Sequence, residues 1–356
     1  MTSSDSENAS GCNSCGCLRF RKGSNPAPRP IEVGPTDNSK VVQQTMRPPR
    51  DNIEGGNARF SDNVSFYSAP EDTAYLPGER VSADTTFPMG STVLHKSVSP
   101  DGTYWTECTH DIFNVRVGPD YKKHGKKAPS HSFLYEPFGA DVLRSDVILS
   151  DIAPHLLFPP LPDYYDSACG LPAIILVNAQ LPLATPSPFT SSENDPGWSC
   201  IGYFRITKET VDWALNRNPC PPALPLLKRI LERGFSDKSL AFKAIGMVDD
   251  LENQNLPMMS LLSKYNGKPV LVTASSKFHF GTKPYPYLEI DYNVRRWSLL
   301  ARTTLVQLTD KLKTITVHVG YLVEATENED LPERMLGGTT VSGLDLAAAR
   351  FVKFDS

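Results

Sequence analysis

From Met1 to Val93 no stretch of the chain repeats apolar residues at the helical or the strand period, and this confines any foldable core to the residues after Val93. Proline, serine and asparagine occupy that stretch instead, as in Pro26-Ala27-Pro28-Arg29-Pro30 and Arg47-Pro48-Pro49-Arg50. Ordering a residue's backbone costs about 1–2 kcal/mol, which sequence of this kind cannot recover by burying apolar surface. The expectation is a disordered arm over residues 1–93 and one folded domain over 94–356, long enough for a sizeable core. The proline-rich stretches offer short polyproline segments, so a protein partner is expected to contact the arm.

Charge narrows the partners. With a formal net charge of −4 and a pI near 6.0, the chain does not carry the basic excess of a protein that coats a polyanion, and no nucleic-acid partner is expected. Met1 to Ser10 is polar and acidic, and the longest wholly apolar run, Ala173 to Val177, falls far short of the ~20 residues that cross a bilayer. A cytoplasmic protein is expected, at most peripheral to a membrane. The odd total of seven cysteines argues against a fully paired disulfide framework.

Three of those cysteines, Cys12, Cys15 and Cys17, precede Arg19, Arg21 and Lys22. Cys12 and Cys15 supply only half of a tetrahedral zinc site, and no second pair at finger spacing occurs downstream, so no metal or cofactor is expected. Two readings stay open for these thiols: reversible S-acylation, in which the acyl chain enters a membrane and the cations meet anionic head groups, or unmodified thiols on a solvated tail. Thr2 in place of glycine excludes N-myristoylation.

The folded part reads as α+β, with a mainly antiparallel sheet and packed helices. Phe113, Val115 and Val117 alternate with polar neighbours as in a half-buried strand. Ala173–Val177 and Ile201–Ile206 read as central strands. Thr207 is placed to cap one helix, and Pro225–Arg233 aligns Leu227, Ile230 and Leu231 in a second. Phe242–Val248 and Pro269–Ala274 read as strands. Leu288, Ile290, Tyr292 and Val294 alternate with Glu289, Asp291 and Asn293, and the short Ser275–Tyr285 gap predicts a hairpin between these last two strands. Ala301, Leu305, Leu308, Leu312 and Ile315 make one helical stripe, leading into a strand with Val317, Val319, Tyr321 and Val323.

The motifs of the common enzyme classes are missing: no Gly-x-Ser-x-Gly elbow, no phosphate-binding Gly-x4-Gly-Lys loop, no Gly-x-Gly-x2-Gly and no His-Glu-x2-His. The most enzyme-like set is His318 with Glu289, Asp291 and Glu324, since an imidazole beside a carboxylate serves as a general base. A polar residue on an outer strand face is more often solvated or paired across strands. Cys108 with His110 and Asp111 lacks further ligands. Lys268 comes after Asn266 and Gly267 in a tight turn, where it either binds a phosphate or is solvated. Glu333 after Leu331-Pro332 suits the start of a short helix. Lys122, Lys123, His124, Lys126 and Lys127 form a basic loop that is either a solvated face or a surface for phospholipid head groups or an acidic protein, each cation near an anionic membrane contributing ~1 kcal/mol.

From about Trp105 to Leu346 the sequence resembles the C-terminal domain family of the plant protein enhanced disease resistance 2. The resemblance is carried by Phe113-Asn-Val-Arg116, by Tyr135-Glu-Pro-Phe-Gly139 with Asp141, and by Leu171-Pro-Ala-Ile-Ile-Leu-Val-Asn178 with Gln180. It continues in Tyr265-Asn-Gly-Lys-Pro-Val-Leu271, Tyr287-Leu-Glu-Ile-Asp291, Trp297-Ser-Leu-Leu-Ala-Arg302 and Leu331-Pro-Glu333. Larger relatives place a pleckstrin-homology and a START lipid-binding domain before this one, and the resemblance implies a role near membranes, lipids or defence-related cell-death control. It implies no catalytic residues.

Three functional readings are open. The leading one is a non-enzymatic, peripheral membrane or lipid-binding protein whose partner is an anionic membrane lipid or a hydrophobic lipid ligand. The others are an enzyme with a dispersed His/carboxylate site and a protein-interaction scaffold. A deep apolar pocket would favour lipid, a polar cleft with converged His and carboxylates an enzyme, and a solidly packed sheet a scaffold.

Overall fold

The chain was analysed as a computed structural model, which describes residues 80–81, 86–184, 196–217, 219–233 and 241–353. Cys12, Cys15, Cys17 and nearly all of the expected arm lie outside the described residues. The arm's boundary needs correction. Phe87, Met89 and Val93 are buried in the core, so the folded body begins at least as early as Phe87. This segment is held by Asp141, whose carboxylate accepts hydrogen bonds from the Gly90 and Thr92 amides at 2.8 and 2.7 Å and from the Thr92 hydroxyl at 2.8 Å.

The α+β class with antiparallel-rich sheets stands, but there are two large sheets instead of one. The larger is built on β4 (Tyr135–Ser145), β5 (Ile174–Pro182), β6 (Gly197–Ile206), β9 (Ser276–Gly281), β10 (Tyr287–Asn293) and β13 (Arg350–Val352). Its order is Arg80–Val81, β13, β4, β6, β5, β10, β9. The apolar runs expected to be central strands are β5 and β6, paired antiparallel, and β10 joins β5 in parallel register with Asp291 opposite Asn178. The second sheet runs β8 (Pro269–Leu271), β7 (Phe242–Val248), β11 (Thr316–Val323), β12 (Met335–Ser342), β1 (Tyr104–Glu107) and Leu94–His95. A separate hairpin pairs β2 (Asn114–Arg116) with β3 (Lys127–Pro129).

The sheets meet face to face through aromatic residues, since alternate side chains of each strand point to one face. Tyr321 of β11 packs with Phe204 of β6 and Phe242 of β7, each at 5.8 Å between ring centroids, and with Tyr292 of β10 at 6.4 Å. Helices α1 (Lys208–Ala214) and α2 (Ala223–Arg233) join the same core through Val211, Trp213, Leu224, Leu227 and Ile230. Thr207 caps α1 as expected, its hydroxyl accepting from the Thr210 amide.

Three local expectations are corrected. The Ser275–Tyr285 gap is not a turn: it contains β9, which takes the antiparallel place beside β10, while β8 pairs with β7 in the other sheet. The stripe from Ala301 to Ile315 is not one helix either, because α4 (Leu299–Leu308) gives way to the 3-10 segment Thr309–Thr314. Glu333 starts no helix. It is buried and accepts from the Arg116 backbone amide at 3.0 Å, the Arg116 guanidinium and the Ala325 amide.

Candidate functional site

His318 does not meet the carboxylates proposed for it. It sits on β11, where Nδ1 pairs with the Thr340 hydroxyl at 2.8 Å and Nε2 lies 3.9 Å from Asp249, and burial lowers its pKa. Glu324 instead binds Lys243 at 2.9 Å and Arg116 at 3.0 Å. Glu289 and Asp291 belong to the other sheet, on β10, and are 0% and 1% exposed. The alternation that suggests a solvated polar face thus marks a second buried one.

That face is covered by residues 149–153. Both oxygens of Glu289 accept backbone amides, from Ile152 and Ala153, each at 2.8 Å. Asp291 Oδ2 accepts the Ser150 hydroxyl at 2.7 Å and the Asp151 amide at 3.1 Å, and its Oδ1 accepts Asn178 Nδ2 at 2.9 Å. Asn178 and Gln180 each donate to the Leu149 carbonyl, at 3.0 and 2.6 Å. From β9, His279 brings Nε2 to 3.2 Å from Asp291 Oδ2 and to 3.2 Å from Ser150 Oγ.

Two buried carboxyls this close cannot both ionise cheaply. Burial, then the neighbouring Asp291 charge, raises the Glu289 pKa. For Asp291 burial pulls upward as well, but hydrogen bonds from His279, Glu289 and Ser150 outweigh it and its pKa is lowered. The two carboxyls are thus driven apart, Glu289 toward holding its proton and Asp291 toward losing it. The hydrogen bond to Asp291 raises the His279 pKa. Serine, histidine and aspartate converge here, with the serine hydroxyl proton engaged by the aspartate. A relay uses one ring nitrogen for the hydroxyl and the other for a carboxylate; here Nε2 faces both Ser150 and Asp291, Nδ1 lies 3.8 Å from Asp151 Oδ1, beyond hydrogen-bond reach, and Ser150 donates its proton directly to Asp291.

Several blocks that carry the family resemblance turn out to hold such buried polar clamps. Arg116 and Glu333 lock β2 to the chain after β11, Asp141 joins Tyr203 at 2.8 Å to the segment before Val93, and Asn178, Gln180, Glu289 and Asp291 strap residues 149–153. His279 and Ser150, which join Asp291 in the last of these clamps, are the members that sequence reasoning missed. Cys108 is no nucleophile in waiting, since burial pushes its thiol up to about 12. His110 pairs with the Ser130 carbonyl at 2.7 Å.

The basic loop is the tip of the β2–β3 hairpin, with a helical turn at Tyr121–His124. Lys122, Lys123, His124, Lys126 and Lys127 are all exposed. Lys123 pairs with Asp120 at 3.3 Å, and the other three lysines make no ion pair among the described residues. The Arg116 guanidinium stands 5.2 Å from the Tyr121 ring and fixes the hairpin's base.

A cavity of about 280 Å³ lies between the two sheets where the aromatic packing ends. Its wall takes Ala244, Gly246 and Val248 from β7, Val317 and Val319 from β11, Tyr292 from β10, and Leu305 and Leu308 from α4. Small residues explain the space: Ala244 and Gly246 stand where larger side chains would reach the facing sheet, and a Cβ added at Gly246 would meet nothing within 4 Å. Tyr292 and Trp297 stack at the inner end, with ring centroids 6.3 Å apart. Helix α3 (Met259–Tyr265) and the turn after it close one side. Gly246, Tyr265 and Lys268 are exposed members of the lining, so the cavity opens there. It contains no carboxylate. The cavity lies at the Val317 end of β11 and the basic hairpin at the Val323 end, the length of an eight-residue strand, ~25 Å, apart.

Among the described residues no helix is long and apolar enough to cross a membrane, and no group of three or more His, Cys, Asp or Glu side chains is placed to hold a metal ion. The family profile described as protein enhanced disease resistance 2, C-terminal, matches residues 105–345. No curated protein and no solved structure matches the chain.

Proposed function

We propose, from the premise that this chain belongs to the enhanced disease resistance 2 C-terminal family, that it binds the apolar part of a lipid and is not an enzyme. The observation that carries this reading is the cavity between the sheets, walled by aliphatic and aromatic side chains and open at one end. Its volume is close to the ~300 Å³ lower end of small-molecule pockets, which suits one chain of a lipid rather than two. The cluster of half-buried His279 and two buried carboxylates supports the same reading by its geometry, because the carboxylates are engaged in holding residues 149–153.

Native mass spectrometry of the full chain after incubation with membrane lipid extract tests it. The wild type should carry a lipid-mass adduct, and Gly246→Phe, which fills the cavity from a position with free space, should lose it. An adduct that persists undiminished in Gly246→Phe would place the lipid elsewhere.

The basic hairpin supports peripheral contact with an anionic membrane as a separate activity. Four exposed lysines on one tip attract anionic head groups at ~1 kcal/mol each. Vesicle co-sedimentation at low and high salt measures this directly, because the Debye length falls from ~10 Å at 0.1 M to ~3 Å at 1 M.

A further inference from the structure

The cavity's mouth is chemically unlike its wall. The interior presents Val248, Val317, Val319, Leu305 and Leu308, whereas the opening carries the exposed Lys268 and Tyr265 beside the small Gly246. The turn that presents Lys268 is held in place. Asn266 bonds the Val248 backbone through both side-chain ends, at 2.7 and 3.2 Å, and the Gly267 amide donates to the Gly246 carbonyl at 3.0 Å. Gly267 has φ +67°, a left-handed conformation that glycine adopts without steric cost. Lys268 makes no ion pair among the described residues, and no carboxylate lines the cavity to compete for it. A second cation, Lys264, stands 5.5 Å from the ring of Tyr265, which lines the mouth.

We infer that the cavity takes a single-chain amphiphile with an acidic head, the chain lying between the sheets and the carboxylate or phosphate meeting Lys268 at the mouth. This rests on the lipid-binding reading above and narrows it to a ligand class. An uncharged head of the same chain length would gain the burial of its tail and lose the ammonium contact. A zwitterionic two-chain lipid would exceed the volume. A charge-assisted contact at a partly exposed rim should favour the acid by roughly tenfold over the matching alcohol.

The test uses the full chain and three probes of equal length, each below its micelle concentration: dodecanoate, monododecyl phosphate and dodecanol. For the wild type, both acids should bind roughly tenfold more tightly than dodecanol at low salt, with the gap closing as salt rises. Lys268→Gln, on an exposed turn, should bring the acids down to the alcohol's affinity and leave dodecanol binding unchanged. Tighter binding of one acid supports the inference and assigns the head as carboxylate or phosphate. Equal affinity for dodecanol and both acids, or a preference that survives in Lys268→Gln, overturns the acidic-head inference while leaving the cavity reading intact. If none of the probes binds, or if Gly246→Phe binds dodecanol as well as the wild type does, the cavity reading fails and the inference with it.

Discussion

The two faces of β10 put opposite solutions side by side. Leu288, Ile290 and Tyr292 turn toward the facing sheet and, at the Tyr292 end, border a space that protein atoms do not fill. Glu289 and Asp291 turn the other way and are gripped by residues 149–153, with every carboxylate oxygen engaged. A buried charge must be met by partners or it destabilises the fold by several kcal/mol, whereas an apolar void leaves only lost contacts. The polar face therefore belongs to the architecture, and the apolar face retains room for something else.

Substitutions on the polar face should be the costly ones. Asp291→Asn exchanges an acceptor for a donor opposite Ser150, Asp151 and His279, and should reduce unfolding free energy by about 3–5 kcal/mol in denaturant titrations. Little loss there would break the comparison. Glu289→Gln keeps a donor toward Asp291 but leaves one of the Ile152 and Ala153 amides without an acceptor, an effect of about 1–3 kcal/mol.

The same pair sets a pH dependence with a definite sign. The Glu289 pKa is raised above the ~4.3 of an unfolded chain, so the folded state binds more protons and stability declines as pH rises above that value. His279, also raised, contributes fully below ~6.5 and loses its contribution as pH rises through its folded pKa. Asp291, lowered, contributes above ~3.9 and loses its contribution only as pH falls through its folded pKa. Thermal midpoints should thus fall from neutral toward alkaline pH, and the slope should be shallower in Glu289→Gln. An unchanged slope in that variant would remove Glu289 from the account.

On the apolar side, Gly246→Phe should change stability by less than about 1 kcal/mol, since it enters open space on a strand and aromatic residues suit strands. A large loss would show that the space is too narrow for a phenyl ring. Smallest of all should be the joint Lys122, Lys123, Lys126 and Lys127→Gln change, which leaves unfolding nearly untouched because exposed charges contribute little. The same variant should weaken binding to phosphatidylserine vesicles by roughly tenfold or more.

Local sequence carried much of this fold. Phe242–Val248 is legible as a strand from its own composition, and the Thr207 cap from one hydroxyl before an apolar face. The features that escaped depend on distant segments. Nothing within Tyr287–Asn293 shows that residues 149–153 will cover Glu289 and Asp291, so polar alternation reads as solvent exposure. The strand Ser276–Gly281 hides because an edge strand keeps polar residues such as Lys277 and an exposed Phe280, and so resembles a loop. The Ala301–Ile315 stripe is right about which side chains face inward, Leu305, Leu308, Leu312 and Ile315 all lining the cavity, but helical period cannot show the change to a 3-10 segment after Leu308. The cavity itself is an absence of side-chain volume between two sheets, and no single motif encodes it.

The central claim is that an apolar chain enters between the sheets. A dodecanol bearing a terminal diazirine, irradiated with the full chain and mapped by peptide mass spectrometry, tests it most directly. The predicted labels fall on peptides containing Val248, Leu305, Leu312 and Val317, and disappear in Gly246→Phe. Labels confined to exposed apolar residues away from the cavity, such as Val98, Val147 and Leu157, would contradict it.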